Sequence, residues 1–258
     1  MANQVEIVRL YFLLDQRMPT TVELQSWIAF LNGDDQTDTL FAQAYPSGLS
    51  DAAYVQAVFQ GFLCRDVDAG ALSTFTAGLA AGTVTHGGLV DAVLSSAEFN
   101  VYVGPVSRLY LAAFQRVPDQ PGLNNWVSYL RAGNSLESMA DTFAASQEFT
   151  NRYKSLSDSD YVSQLYQNVL GRAADPAGLA YWTGLLASGT TRGQVLIGFS
   201  QSPEGISLFK PTLRTFLNYY AFLNTAPTQQ DLDYWTNYLT TLTDQFRETF
   251  LDAPSFNN

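Results

Sequence analysis

The chain has 258 residues, with 13 Lys and Arg against 24 Asp and Glu, a formal net charge of −11, and 47% hydrophobic but only 14% charged residues. A chain this apolar folds, and its length suits one large domain or two smaller ones. A single Cys and a single His exclude an internal disulfide, a Cys-based zinc site and any two-His metal motif. With only two lysines, Lys154 and Lys210, and no basic run, the composition argues against nucleic acid as a partner.

In chain order, the start, Met-Ala-Asn-Gln-Val-Glu-Ile-Val-Arg, has no basic region followed by an apolar core, so no cleavable secretory signal is expected there. No run approaches the ~18 apolar residues of a membrane span. The negative charge disfavours direct contact with an anionic membrane unless divalent cations bridge the two. A first copy of a repeat carries Tyr11, Arg17, Thr20, Leu24, Trp27 and Leu31, and is followed by the acidic cluster Asp34, Asp35 and Asp38. The second has Phe59, Arg65, Asp68, Leu72, Phe75 and Leu79, then His86 in a loop or helix start, and closes at Ser96-Ala97-Glu98-Phe99. The third has Tyr110, Arg116, Asp119, Leu123, Trp126 and Leu130, and closes at Ser146-Gln147-Glu148-Phe149.

The fourth copy opens on Asp158 and Asp160, shows helical periodicity through Val162, Leu165, Tyr166, Val169 and Leu170, and stops at Gly171. Arg172, Asp175, Leu179, Trp182 and Leu186 follow, then Ser188-Gly189-Thr190-Thr191, a helix with Val195, Leu196 and Phe199, and Ser202-Pro203-Glu204. The fifth carries Tyr219, Thr225 in place of the arginine, Thr228, Leu232, Trp235 and Leu239. The final Ser-Phe-Asn-Asn is read as a cut inside something longer.

The five aromatics Trp27, Phe75, Trp126, Trp182 and Trp235 stand 48, 51, 56 and 53 residues apart. Leu at −3 and +4 from each falls on the same helical face as the aromatic, because 3.6 residues make a turn. Thr20, Asp68, Asp119, Asp175 and Thr228, seven positions before each aromatic, are N-cap residues whose side chains accept from first-turn N–H groups. Thr20 with Glu23 and Thr228 with Asp231 resemble capping boxes, and Pro176 occupies the first helical position favoured by proline. These features predict an all-α fold: an array of about five three-helix repeats, solenoid or spiral-like, each covering its neighbour's apolar face. The expected boundaries are 1–50, 51–103, 104–156, 157–207 and 208–258 in one repeat domain, with the five aromatics as structural core. The end copies depart most from the central ones, as terminal repeats do.

The stretch Tyr161-Val-Ser-Gln-Leu-Tyr-Gln-Asn-Val-Leu-Gly-Arg-Ala-Ala-Asp-Pro-Ala-Gly-Leu-Ala-Tyr-Trp-Thr-Gly-Leu-Leu-Ala-Ser-Gly closely resembles the bacterial DUF4214 repeat. Val106 to Phe149 is a second clear example, and the other three copies are diverged relatives. The resemblance implies a large exported bacterial protein: a calcium-dependent surface-layer or RTX-type protein, or a biofilm matrix protein, secreted by a type I system. It implies a cell-anchoring region at the surface of a Gram-negative bacterium that binds the O-antigen polysaccharide of lipopolysaccharide. It transfers no catalytic residues. The RTX nonapeptide is absent from the chain, so any calcium-binding lattice part is expected outside it.

The residues themselves leave several readings. Arg17, Arg65, Arg116 and Arg172 lie three residues before the caps; they satisfy last-turn carbonyls and pair with cap acids such as Asp119 or Asp175, or else form a row for an anion or sugar acid. His86 is read as solvent-exposed, and Cys64 as a small packed residue in a slot held elsewhere by Gln, Gly or Asn. Asp34, Asp35 and Asp38, and Asp158 with Asp160, could share a hard cation such as Ca²⁺ or could cap helices; no other cofactor is expected. Tyr129, Tyr181, Tyr234 and Tyr238, off the buried stripe, with Asn124, Asn125 and Asn237 alongside, could stack on a pyranose face and bond its hydroxyls, or pack between repeats. The expected function is non-enzymatic surface anchoring through a polysaccharide. The alternatives are an assembly module of a matrix or lattice and, third, a glycan hydrolase.

Overall fold

The computed structural model describes residues 50–84 and 86–233. Trp27, Asp34, Asp35, Asp38, Tyr234, Trp235, Asn237 and Tyr238 lie outside them, with nearly all of the first copy. Every regular element among the described residues is helical, so the fold is all-α. The second copy supplies α1 (Asp51–Leu63), α2 (Ala69–Ala80) and α3 (His86–Ser95). A π-helical turn, π1 (Phe99–Val103), leads into the third copy's α4 (Gly104–Phe114), α5 (Gln120–Arg131), α6 (Leu136–Ala145) and the short α7 (Gln147–Tyr153). The fourth copy supplies α8 (Asp158–Leu170), α9 (Pro176–Ala187) and α10 (Arg192–Ser200). Then α11 (Pro203–Asn218) and a second π turn, π2 (Tyr219–Leu223), open the fifth.

The boundaries follow from the repeat's own chemistry. Asp68, Asp119 and Asp175 accept from the N–H groups of Ala71, Gly122 and Gly178 at 2.9, 2.7 and 2.8 Å, so the expected N-caps are formed. Thr228 and Asp231 satisfy each other's backbone N–H groups at 2.8 and 3.2 Å, a capping box with a shorter acid. Each first helix ends in one slot, eleven residues before the aromatic. Cys64, Gln115, Gly171 and Asn224 all adopt φ between 49° and 64° there, the left-handed C-terminal conformation. Only one of the four is a glycine.

The described residues divide into two compact units, 50–96 with 215–233, and 97–214. In the first, α1 packs on α2, α3 and π2. Tyr54 of α1 stacks on Phe222 of π2 at 5.2 Å with planes 10° apart, and Gly61 lets the backbones approach, since a Cβ there would run into Ala221. These helices come from the second and fifth copies, a pairing that stacking in chain order does not supply. In the second unit every residue of α4 is buried, its two polar residues Ser107 and Arg108 included. Around it pack α6, α8 and α10. Between α6 and α10 the contact is close because Gly193 has no Cβ to press on the Ala140 carbonyl, 2.9 Å from where one would stand.

Among the described residues, the helices carrying the repeated aromatic are the least buried of their copies. None of the residues of α2 or α9 is fully buried, and α5 buries Leu123, Val127 and Leu130 but not Trp126. The expectation that Phe75, Trp126 and Trp182 are core is therefore corrected: each is half-buried. In the second, third and fourth copies burial falls instead on the first and third helices, which meet one another; the middle helix packs on the first in each, and in the fourth copy on the third as well.

Candidate functional site

Of the predicted sugar-facing residues among those described, Tyr181 lies on α9 and Asn124, Asn125 and Tyr129 lie on α5. On α9, Trp182 lays one face against Phe199, with centroids 5.0 Å apart, over Gly198, where a Cβ would collide with the indole. Its neighbour Tyr181 is 61% exposed and meets Trp182 edge-on at 5.1 Å. On α5, Trp126 meets Phe143 edge-on at 5.3 Å on its inner side, and Tyr129 at 5.3 Å. Tyr129 is half-buried, while Asn124 and Asn125 are exposed one turn away. Both helices thus carry an aromatic pair whose inner ring is anchored and whose second ring borders solvent. The two pairs rest on different neighbours, α5 on α4 and π1, α9 on α8 and α10. The second copy has no such pair: Phe75 touches Phe59 at 6.1 Å, and Thr74 and Gly78 stand where the tyrosines would be.

The arginine row is held by carboxylates that sequence reasoning did not pair with it. Arg116 donates from Nε and Nη2 to Glu148, both at 2.9 Å, and Arg172 to Glu204 at 2.8 and 3.0 Å. The guanidiniums also lie over the Tyr110 and Tyr166 rings, at 5.5 and 5.0 Å. The cap acids are lesser partners, Asp175 at 3.7 Å from Arg172 and Asp68 at 3.8 Å from Arg65. The arginine hydrogen bonds hold the Glu148 and Glu204 carboxyls below their ordinary range. The signal was present, since both acids belong to the closing Ser-x-Glu pattern. The same glutamates also stand in the first turns of the following helices, where the positive end favours them.

A second repeated joint links first and third helices. Tyr161 donates to the Arg192 carbonyl at 2.8 Å, Arg192 lies 4.8 Å over that ring, and Asp158 accepts from Arg192 at 2.9 Å. In the second copy Tyr54 donates to the His86 carbonyl at 3.0 Å, His86 meets that ring edge-on at 4.5 Å, and Asp51 lies 3.7 Å from its Nε2. His86 is thus half-buried at the position of Arg192 rather than loose in solvent. Burial pushes its pKa down, with Asp51 opposing. Asp160, the other candidate metal ligand, accepts from the Ser157 hydroxyl at 2.7 Å, a capping arrangement. Among the described residues no three His, Cys, Asp or Glu side chains gather as a metal group. Cys64 is half-buried and carries the helix-ending conformation.

Residues 36–103 and 140–209, together just over half of the chain, match the family described as Domain of unknown function (DUF4214). The chain belongs to that family. The first stretch covers the second copy, whose resemblance is weaker to the eye; the second runs from within α6 through the fourth copy. No curated protein and no solved structure matches the chain.

Proposed function

We propose that this chain is the cell-anchoring module of an exported bacterial surface-layer or matrix protein, and that it binds a surface polysaccharide such as the O-antigen of lipopolysaccharide. The observation that carries the reading is the repeated aromatic pair on α9 and α5. Tyr181 stands 61% exposed beside an anchored Trp182, and Tyr129 lies close to the exposed amides of Asn124 and Asn125. A rigid flat ring stacks on the apolar face of a pyranose, and nearby amides bond its hydroxyls. The net charge of −11 opposes the phosphates of the lipid anchor, so the ligand is the neutral part of the polymer, or Ca²⁺ bridges to its anionic part.

The test is calorimetric titration of the full chain with purified O-polysaccharide, in calcium and in chelator. Binding is expected, and Tyr181→Ala is expected to weaken it about tenfold, ~1.4 kcal/mol, with the melting temperature unchanged because the ring is largely in water. Absence of heat under both conditions overturns the reading. The exposed apolar side chains Val101, Ile206 and Leu208, at 56, 41 and 49%, favour a second reading as an assembly module. That reading predicts concentration-dependent oligomers in light scattering without glycan affinity.

A further inference from the structure

Gly184 lies inside α9, where glycine is among the least favoured residues. Two glycines near it are required by packing. A Cβ on Gly178 would run into the Tyr166 hydroxyl, and one on Gly198 into the Trp182 indole. A Cβ on Gly184 would meet nothing within 4 Å. The same place, two residues after the repeated aromatic, is held by Ala77 in the second copy and Ser128 in the third, so the repeat itself does not demand a glycine.

Its effect is to leave the surface beside Tyr181 bare. Gly184 stands three residues after Tyr181, and Ala177 four before it, so the three share one side of the helix. All three are exposed, and the Tyr181 ring is braced edge-on by Trp182. Polar groups on this helix are already committed. No charged side chain occurs from Pro176 to Thr191. The Thr183 hydroxyl donates to the Leu179 carbonyl and the Ser188 hydroxyl to the Leu185 carbonyl, both at 2.8 Å. The Gly184 carbonyl accepts from the Ser188 N–H at 3.0 Å. On α5, by contrast, the turn before Tyr129 carries the exposed amide of Asn125. The two aromatic pairs are therefore chemically unlike: one borders an amide, the other a methyl group and open backbone.

We propose that the Tyr181–Gly184 side of α9 is a subsite for a deoxy sugar, a pyranose with a methyl group where common hexoses carry a hydroxymethyl. The assignment rests on the reading of the aromatic pairs as carbohydrate platforms and names the sugar that one of them takes. A ring lying on Tyr181 and reaching one turn along the helix settles against the backbone at Gly184, which a side chain would hold off. A methyl group placed there leaves water favourably. A hydroxyl placed there leaves water and finds no partner, which costs binding.

The experiment is a calorimetric titration of the full chain with sugar pairs of one configuration that differ only in the oxygen on C6: L-fucose against L-galactose, L-rhamnose against L-mannose, and 6-deoxy-D-glucose against D-glucose. In at least one pair the deoxy sugar is expected to bind about tenfold more tightly. Gly184→Gln puts an amide at the same place and should bring that ratio to about one. Glutamine is the better helix former, so the variant's melting temperature should equal or exceed that of the wild type. Equal affinities within every pair, no binding of any deoxy sugar, a preference that survives Gly184→Gln, or a lowered melting temperature of that variant overturns the proposal. O-polysaccharide binding that Tyr181→Ala weakens, without a deoxy preference, overturns this assignment and leaves the anchoring reading standing. Deoxy-sugar binding without O-polysaccharide binding does the reverse.

Discussion

Four residues in one slot close the first helices of their repeats with positive φ, and they illustrate what a backbone position demands of its side chain. Cys64 and Gln115 hold φ of 53° and 51° without being glycine, a conformation that costs a side-chain-bearing residue ~1 kcal/mol. Gly171 holds φ of 64° freely. Gln115→Gly should therefore stabilise the chain by about 1 kcal/mol, less the small value of its exposed bond from Arg152, and Gly171→Ala should destabilise it by a similar amount. Urea denaturation measures both, and equal effects of the same sign would refute the account. His86 offers a second test. Its native pKa lies below the ordinary 6.5, so the unfolded chain takes up the proton first. The stability tied to its neutral form is complete above pH 6.5 and declines as the pH falls through the native value. In His86→Arg, which copies the residue of the fourth repeat, the Asp51 joint should keep its charge pair throughout. The variant is expected to lose that decline in a pH series of melting temperatures.

At the scale of the helix, α9 is apolar yet has no fully buried residue, and its attachment depends on glycines that admit aromatics from below. A Cβ on Gly178 would strike the Tyr166 hydroxyl, and one on Gly198 the Trp182 indole. Gly198→Ala should cost roughly 1–3 kcal/mol by overpacking and push Trp182 outward, so indole quenching by acrylamide should rise as the melting temperature falls. Unchanged quenching with a lower melting temperature would place the strain elsewhere. The caps and helix stops of this element were legible beforehand, because N-capping is read within four residues. Its half-buried state was not: a Leu-Trp-Leu stripe marks the side that turns inward, and says nothing of how much of the ring the partner covers.

For the whole molecule, the unit formed by 50–96 and 215–233 joins the second and fifth copies through Gly61, Ala221 and the Tyr54–Phe222 stack. Gly61→Leu should separate α1 from π2. Amide exchange is expected to accelerate across α1, α3 and π2 while α6 and α10 keep their protection; uniform acceleration would mean that the chain opens as one piece. The all-α class, the repeat period, the capping residues and the family resemblance were all determined by sequence alone, because each rests on contacts within a few residues of chain or on a pattern repeated five times. The partners of the arginines 32 residues downstream, the pairing of copies two and five, the low burial of the aromatic helices and the burial of Arg108 against Gln201, 93 residues away, were decided only in three dimensions. A periodic stripe specifies which side of a helix turns inward; which helix it meets is settled by the shape of every other surface competing for the same contact.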